Sequence, residues 1–562
     1  MVILGINFVF HDSSACIIKD GKLIVALEEE RFSRKKHGGQ FPSKSISKCL
    51  EIAELTFDDI DHIAFSFSPS LDIVKKIKHS LKYPHKFWPI FNLQVLRFYW
   101  RYRTINKWYK STFNRKKQPE LHWVPHHQSH VAGSFYVSPY KSAALLSMDG
   151  SGEWATAYLG HGKGNTVTEI SQTYFPHSLG SVYEAITVFC GFKPAYDEGK
   201  TMGLAPLGNS ATYIEQARKT IRVNDDGTIN IDFSYFNFHL CQHDYLSEKF
   251  IQTFGLARKP EEDFAQNHLD VAAAFQQLLE EVALKLCDIL YNKTKEDYLV
   301  IAGGVALNSV MNGRIVRESK FKDIYVMPAA GDNGTSIGAA AYVHNQVLNQ
   351  PRTFSHMQPF IGNEYSNDEI KAILDECKLS YEYYENVEAE AAKLLHQGFI
   401  LCNFQGRMEI GPRALGNRSI LADPTKSSMK DKINAEVKHR EAYRPFAPSV
   451  VAERVSEFFD IDVEAPFMLK VCPVKEDKKS DLPAITHVDG SARVQTVRKE
   501  INERYHKIIS EFGKLSGVPV VLNSSFNVMG EPIVESPYDA VRCFFSTGLD
   551  FLVIGNFIVS KK

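Results

Sequence analysis

No C-x-x-C pair occurs in this chain, although it holds nine cysteines, at positions 16, 49, 190, 241, 287, 377, 402, 472 and 543. Thiols spread singly exclude a zinc ribbon and a disulfide framework, and they fit a reducing cytoplasm. No apolar run reaches the length of a membrane span. The opening MVILGINFVFHDSS has no basic n-region, no long apolar h-region and no small-residue cleavage site, so no signal peptide is expected. Net charge is almost absent, at −1 over 562 residues, which predicts no general attraction to DNA or to anionic membrane and leaves room for a local basic patch. Internal repeats and low-complexity tracts are not seen. One local absence is informative: residues 75–117 contain thirteen Lys and Arg and no Asp or Glu, interleaved with Phe, Tyr and Trp. Such a mixture suits a membrane interface, or a nucleic-acid strand stacked on aromatics, or a basic helical insertion that packs its rings on the domain and leaves its charges in water.

The length predicts two or three domains, and the 44% hydrophobic and 23% charged shares are those of a globular protein. The densest chemistry lies in residues 405–449, where Arg407, Arg413, Arg418, Lys438, Arg440 and Arg444 stand among Gly406, Gly411 and Gly416. Planar guanidinium groups pair bidentately with phosphate oxygens, and glycine lets backbone N–H groups reach the same oxygens, so this stretch predicts an anion site. Further on, HVDGSARVQTV and PVVLNSSFNVMGEPIV add Arg493, Asn523, Ser525 and Asn527 as strand-end polar groups.

In chain order, 2–8, 15–20 and 22–28 read as strands with a turn at Asp20-Gly21, and His11, Asp12 and Ser13 occupy the first connection. EEERFSRKKH, 28–37, reads as a charged surface loop. His126 and His130 are four apart after Pro125, so on a helix they share one face one turn apart, and His127 points off that face. Residues 143–148 read as a buried strand ending in Asp149-Gly150-Ser151-Gly152, and VMPAAGDNGTSIGAA delivers Asp332 and Asn333 in the same manner. Two imidazoles and two carboxylates form a harder donor set than zinc usually takes, compatible with Fe(II) or Mn(II). Asp197, Glu198 and Lys200 are charges in a glycine-rich loop, and active-site roles are expected for them. YLVIAGGVALNSVMNG places Gly303, Gly304 and Asn308 between an apolar strand and a helix, a setting that turns backbone N–H groups toward an anion. Residues 223–242 read as a strand-rich insertion and 267–292 as a structural helix.

GRMEIGPRALGNRSILADP, MKDKINAEVKHREAYRPFAPS, PVVLNSSFNVMGEPIVESP, HDSSACIIKDGKLIVALEEERFSRKKH and HHQSHVAGSFY together resemble the NodU/CmcH family of O-carbamoyltransferases, over essentially the whole chain. The lack of cysteine zinc modules separates it from the hydrogenase maturation carbamoyltransferases. The resemblance implies a mixed α/β protein. Residues 1–350 would form an actin-like ATPase fold resembling the tRNA threonylcarbamoyl transferase domain, with a basic aromatic insertion at about 73–118. Residues 351–366 would form a linker, and 367–562 a YrdC-like domain that makes carbamoyladenylate. It further implies that His126, His130, Asp149 and Asp332 bind one metal, usually iron, and that 28–37 borders the active cleft. Lys438, Arg444, Arg493, Asn523 and Ser525, with Arg413 and Arg418, would hold carbamoyladenylate. Gly303, Gly304 and Asn308 would form an adenosine motif, and His11 and Asp12 would lie in the first phosphate loop.

The expected reaction uses ATP with Mg²⁺ and carbamoyl phosphate as co-substrates, forms carbamoyladenylate, and passes the carbamoyl group to a hydroxyl of a sugar or natural product. His11 is the expected general base, with Asp12, Glu198 and Lys200 beside it. The alternatives are threonylcarbamoyl transfer to tRNA and a regulatory protein that binds nucleotide and metal without turnover. The expected location is cytoplasmic, with a lipid-linked or anionic acceptor held at the inner membrane face by 73–118, and a homodimer is compatible with the sequence.

Overall fold

The structure, a computed structural model, describes every residue except 9–10, 83–98, 114–117, 241–243, 354, 356, 439, 442 and 562. The chain divides into two compact units: Met1–Ile24 with Gly39–Ser355, and Val25–Gly38 with His356–Lys562. The second unit therefore includes a piece of the N-terminal chain as well as the C-terminal residues. Among the described residues no helix is long and apolar enough to cross a membrane.

In the first unit, the buried strand VILGIN, β1 (Val2–Asn7), pairs antiparallel with β2 (Ser14–Lys19) in the register Val2↔Lys19 to Asn7↔Ser14, and β3 (Lys22–Glu28) follows after the Asp20-Gly21 turn. Both turn residues have positive φ, 50° and 78°, which is why Gly sits there. β1 then takes β4 (His62–Phe65) as a parallel partner, and β4 takes β5 (Glu120–Trp123), giving the order β3-β2-β1-β4-β5.

The second sheet repeats this plan. β6 (Ser142–Met148), β7 (Ala155–Lys163) and β8 (Thr166–Tyr174) form an antiparallel meander, and a short hairpin of β9 (Ile221–Val223) and β10 (Ile229–Ile231) stands apart. β11 (Tyr298–Ala302) and β12 (Asp323–Val326) add to β6 in parallel, so the order is β12-β11-β6-β7-β8. This doubled plan is the actin-like fold. It is a repeat that the sequence does not display, because the plan requires only matching apolar strands, not matching residues. Among the described residues, the expected strand-rich insertion at 223–242 holds the β9–β10 hairpin, a bridge from Phe236 to Leu246 and the 3-10 turn Phe238–Leu240.

The helices His126–Phe135 and Thr335–Tyr342 cross at close range where Gly133 meets Gly338. A β-carbon at Gly338 would lie 1.7 Å from the Ser129 carbonyl, so glycine is what permits this approach. The expected helix at 267–292 spans Gln266–Thr294.

The second unit is built on one mixed sheet whose strands are β13 (Tyr381–Tyr383), β14 (Leu401–Phe404), β15 (Arg418–Ala422), β16 (Ala447–Val451), β19 (Gln495–Val497), β20 (Val520–Ser525), β21 (Phe551–Ile554) and β22 (Phe557–Ser560), in the order β13-β22-β21-β14-β15-β20-β16-β19. β17 (Val471–Pro473) and β18 (Ser491–Arg493) form a separate pair. Alternate residues of the large sheet enter two cores. Cys402, Phe404, Ile420 and Leu522 face one side, while Leu401, Leu421 and Val521 face the other with Tyr505, Ile508 and Phe512 of the helix Glu503–Ser516.

Residues 28–37 are not the surface loop their charge suggests. Glu29–Ser33 is helical, and Glu28, Glu29 and Arg31 are buried. Arg31 donates to Glu28 Oε2 and to the Gly411 carbonyl, both at 2.7 Å, and the Gly411 amide also reaches Glu28. Arg34 donates to the carbonyls of Pro532 and Ile533. Charges of both signs close together signal mutual pairing as readily as solvation, and here pairing wins.

The basic stretch is described in part; 83–98 and 114–117 lie outside the described residues. The helix Ile73–Lys82 exposes Ile73, Val74, Ile77 and Leu81, and the helical residues 99–112 expose Tyr99, Trp100 and Tyr102. Trp108 instead packs on Phe41, Phe57 and Phe113.

Candidate active sites

The strand β6 ends at Asp149, the loop after β12 ends at Asp332, and Pro125 starts the helix that carries His126 and His130. These three elements bring four buried donors together. His126 Nε2 and His130 Nε2 are 3.0 Å apart; Asp149 Oδ2 is 3.2 and 3.1 Å from them, and Asp332 Oδ1 3.3 and 3.4 Å. Separations of this size are what donors about 2.0–2.1 Å from one ion would show.

The surroundings fix each donor. Asp149 Oδ1 accepts from the amides of Gly150 (2.9 Å) and Gly304 (3.2 Å), which turns Oδ2 toward the imidazoles. The Asp332 carbonyl accepts from Asn7 Nδ2 and Thr335 Oγ1, and Glu153 accepts from the His126 amide. Gly303 has φ 88°, and a β-carbon there would lie 2.2 Å from the Met148 carbonyl. Burial opposes the charge on Asp149, yet His126 and His130 hold it well below the usual carboxylate range. Burial works against His126 as well, but Asp332 and Asp149 raise it well above its ordinary value. Two buried carboxylates thus lean on imidazoles for their compensating charge, an arrangement that a divalent cation completes. His127 hydrogen-bonds Ser147 Oγ and the Ala155 carbonyl, and burial followed by His126 and His130 lowers it to about 3, so it serves the core and stands apart from the four donors.

His11 stands beside this cluster with its side chain half exposed, Nε2 3.9 Å from Asp332 Oδ2 and Nδ1 2.9 Å from Asp12 Oδ2. Asp332 first, against the effect of burial, and then Asp12 and Asp149 raise it to about 10. The neighbouring carboxylates thus favour the charged form of this imidazole. Gly303 and Gly304 follow β11, and the Gly304 amide donates to Asp149 Oδ1. Asn308 caps the helix Ser309–Glu318 and exchanges hydrogen bonds with Gln276. Asp197 pairs with Lys200 at 3.2 Å, and Glu198 accepts from the Ala195 amide.

Sequence reasoning missed two groups. Asn7 links the His11 and Asp12 carbonyls to that of Asp332; its signal was a lone amide ending an apolar strand. Glu184, on the helix Leu179–Phe189, is pushed up to about 8 by burial, then by Glu198 and Asp149. It resembles any helix glutamate until the fold sets it beside Gly150, whose missing β-carbon would lie 3.4 Å from Glu184 Oε1.

The second unit holds a cluster of the opposite sign. Burial and then Arg444 lower Arg413 to about 10, and the same two causes lower Arg440 to about 9. Arg493 falls well below its usual value through burial and then Arg413, Arg440 and Arg444. Lys438 is lowered to about 7 by burial, then by Arg440; its Nζ donates to Ser525 and to Asn527 Oδ1. Lys36, an exposed amine, adds a further cation facing Arg31, Arg444 and Arg413. The Nε atoms of Arg413 and Arg493 are buried without a hydrogen-bond partner. Asn523 lies beneath, bonded to Ser449, Gln495 and the Ala414 carbonyl. Arg418 is set apart from the group. Fully buried, it gives its guanidinium to the Gln405, Gly406 and Asn417 carbonyls and lies 3.7 Å over the Phe404 ring, which makes it a loop clamp.

Residues 2–341 match the family described as carbamoyltransferase N-terminus, and residues 392–561 that described as carbamoyltransferase C-terminus. The chain belongs to the carbamoyltransferase family. It is similar to an uncharacterised protein of Synechocystis, at 39% identity over all of this chain and 96% of that one. It is also similar to nodulation protein NolNO of Sinorhizobium fredii, at 36% over 99% of this chain and 80% of that one. The 3'-hydroxymethylcephem-O-carbamoyltransferase of Streptomyces clavuligerus is 27% identical over 97% of this chain and 96% of that one. The protein is thus an enzyme, a carbamoyltransferase, with a buried cluster of four metal-type donors and a separate cluster of cations.

Proposed function

We propose that the enzyme is an ATP-dependent O-carbamoyltransferase with two reaction centres. In the second unit, carbamoyl phosphate, water and Mg·ATP give carbamoyladenylate, pyrophosphate and phosphate. In the first unit, an acceptor hydroxyl of a sugar or natural product attacks the carbamoyl carbon, the bond to AMP breaks, and AMP leaves. The observation that carries this reading is the convergence of Arg413, Arg440, Arg444, Arg493, Lys438 and Lys36 around buried, unpartnered guanidinium nitrogens. Desolvated cations that repel one another are stabilised by a polyanion, and an adenylate-forming step supplies triphosphate, pyrophosphate and phosphate.

His126, His130, Asp149 and Asp332 would hold the metal, proposed as Fe(II), whose chemistry there is Lewis acidity toward the transferred group. A divalent ion held there would offset the carboxylates that favour the charged form of His11. Asp12 orients the His11 ring through Nδ1, leaving Nε2 free to take the acceptor proton. Glu184, a carboxyl poised near neutrality, is placed to exchange that proton.

The test is pyrophosphate release by the purified enzyme with each substrate omitted in turn. Release that requires both ATP and carbamoyl phosphate is expected; release independent of carbamoyl phosphate, or none from folded enzyme, overturns the adenylating step.

The acceptor is proposed to be lipid-linked. The apolar stripe Ile73, Val74, Ile77 and Leu81, with Lys78 and Lys82 on the same helix, has the makings of an interfacial helix. Co-sedimentation with vesicles containing anionic lipid is expected, weakening with salt, and no binding to any vesicle removes this part of the proposal.

A further inference from the structure

The geometry points to a second metal site, built by His62, Glu120 and His122 at the edge of the first sheet, for a zinc-class divalent ion. His62 opens β4 and Glu120 opens β5, and the two are direct partners in the parallel register. His122 is two residues beyond Glu120, so all three side chains rise from one face of the sheet.

Their ligating atoms form a closed triangle. His62 Nδ1 is 3.1 Å from His122 Nε2, Glu120 Oε2 is 3.6 Å from His62 Nδ1, and it is 3.9 Å from His122 Nε2. A point equidistant from the three atoms lies about 2.1 Å from each, the length of Zn–N and Zn–O bonds. The imidazole planes are tilted by 50°, an angle compatible with both rings aiming a lone pair at one centre. A simple imidazole–imidazole hydrogen bond would account for the 3.1 Å contact but not for the carboxylate completing the triangle. Two imidazoles and one carboxylate are a zinc-type set with a fourth position left to water.

The place argues for a structural role, independent of the transfer reaction. Ser66, just past the far end of β4, bonds Asn7 beside the four-donor cluster, so His62 lies about 13 Å from that chemistry at the rise of a strand. β5 is a four-residue edge strand entered from the long connection 66–119. An ion joining the first residue of β5 to the first residue of β4 fixes where that connection returns to the sheet.

The experiment is zinc stoichiometry after chelator stripping, reconstitution with Zn²⁺ and dialysis against micromolar free Zn²⁺. His62→Ala and Glu120→Ala, each made in the wild type and in a His130→Ala background, are expected to hold one equivalent fewer than their parents. Zn²⁺ is also expected to raise the melting temperature of His130→Ala by more than that of His62→Ala/His130→Ala. Glu120 is largely exposed, so its substitution separates lost binding from lost folding. Equal zinc content in parent and variant, in either background, overturns the proposal.

Discussion

Replacing His130 by alanine is expected to lower carbamoylation of the acceptor by about a thousandfold or more while leaving pyrophosphate release within a fewfold of wild type. His130 Nε2 lies 3.1 Å from Asp149 and 3.4 Å from Asp332, so its loss removes one donor from four and leaves two buried carboxylates with a single imidazole. Losing Lewis-acid stabilisation of several kcal/mol corresponds to that rate factor. Metal content at the four-donor cluster should fall with the activity. His127→Gln is the contrast: His127 is equally buried and one residue from His126, but it serves Ser147 and Ala155, so it should cost stability and retain metal. If His130→Ala kept both metal and transfer, the cluster would not be the transfer centre. If a folded His130→Ala lost pyrophosphate release too, the two half-reactions would not be separate.

How much of this was legible before the fold is best seen residue by residue. His126, His130, Asp149 and Asp332 were readable because a four-residue helical spacing and two strand-end carboxylates are local patterns, and local patterns survive folding. That Arg413, Lys438 and Arg444 gather in one place was suggested by a related pattern: cations interleaved with Gly and Pro do not make a solvated face. Arg418 misled, since nothing local distinguishes a guanidinium that binds a ligand from one that binds the carbonyls of its own loop. Glu28 and Arg31 misled similarly, because their pairing depends on Gly411, far along the chain. Glu184 was illegible, as its raised pKa comes from burial and from Glu198 and Asp149, which only tertiary structure brings near. The doubled sheet plan was hidden by the tolerance of strands for any apolar sequence. Chemistry held by neighbours in sequence was thus visible, and chemistry held by distant charges was not.

Arg493→Met is expected to reduce pyrophosphate release by at least a hundredfold and, in the same protein, to raise the melting temperature without ligand. The two effects share one cause. Arg493 is depressed by burial and by three neighbouring arginines, and its Nε is buried without a partner, so the ligand-free enzyme bears a partly buried charge crowded by like charges. Removing that charge relieves the folded state, while the loss of one charge-assisted contact to a polyphosphate weakens catalysis. A variant that merely damaged the fold would lower both quantities, and that result would refute the anion-site assignment. Lys438 supplies an independent sign. Its folded pKa, near 7, lies below its unfolded value of about 10.4, so the unfolded chain binds more protons between those limits. Lys438 therefore favours the ligand-free fold increasingly as pH rises from 7 toward 10, and a bound anion reverses this by restoring the proton. Sulfate, which does not titrate in this range, should bind with uptake of a proton, its affinity falling by up to about tenfold per pH unit above 7. Arg440, Arg444, Cys402 and Cys543 face the same amine, and Lys438→Met should flatten the dependence while they remain in place. Calorimetry in two buffers of different ionisation enthalpy measures the proton directly, and a pH-independent affinity in the wild type would show that Lys438 does not touch the anion.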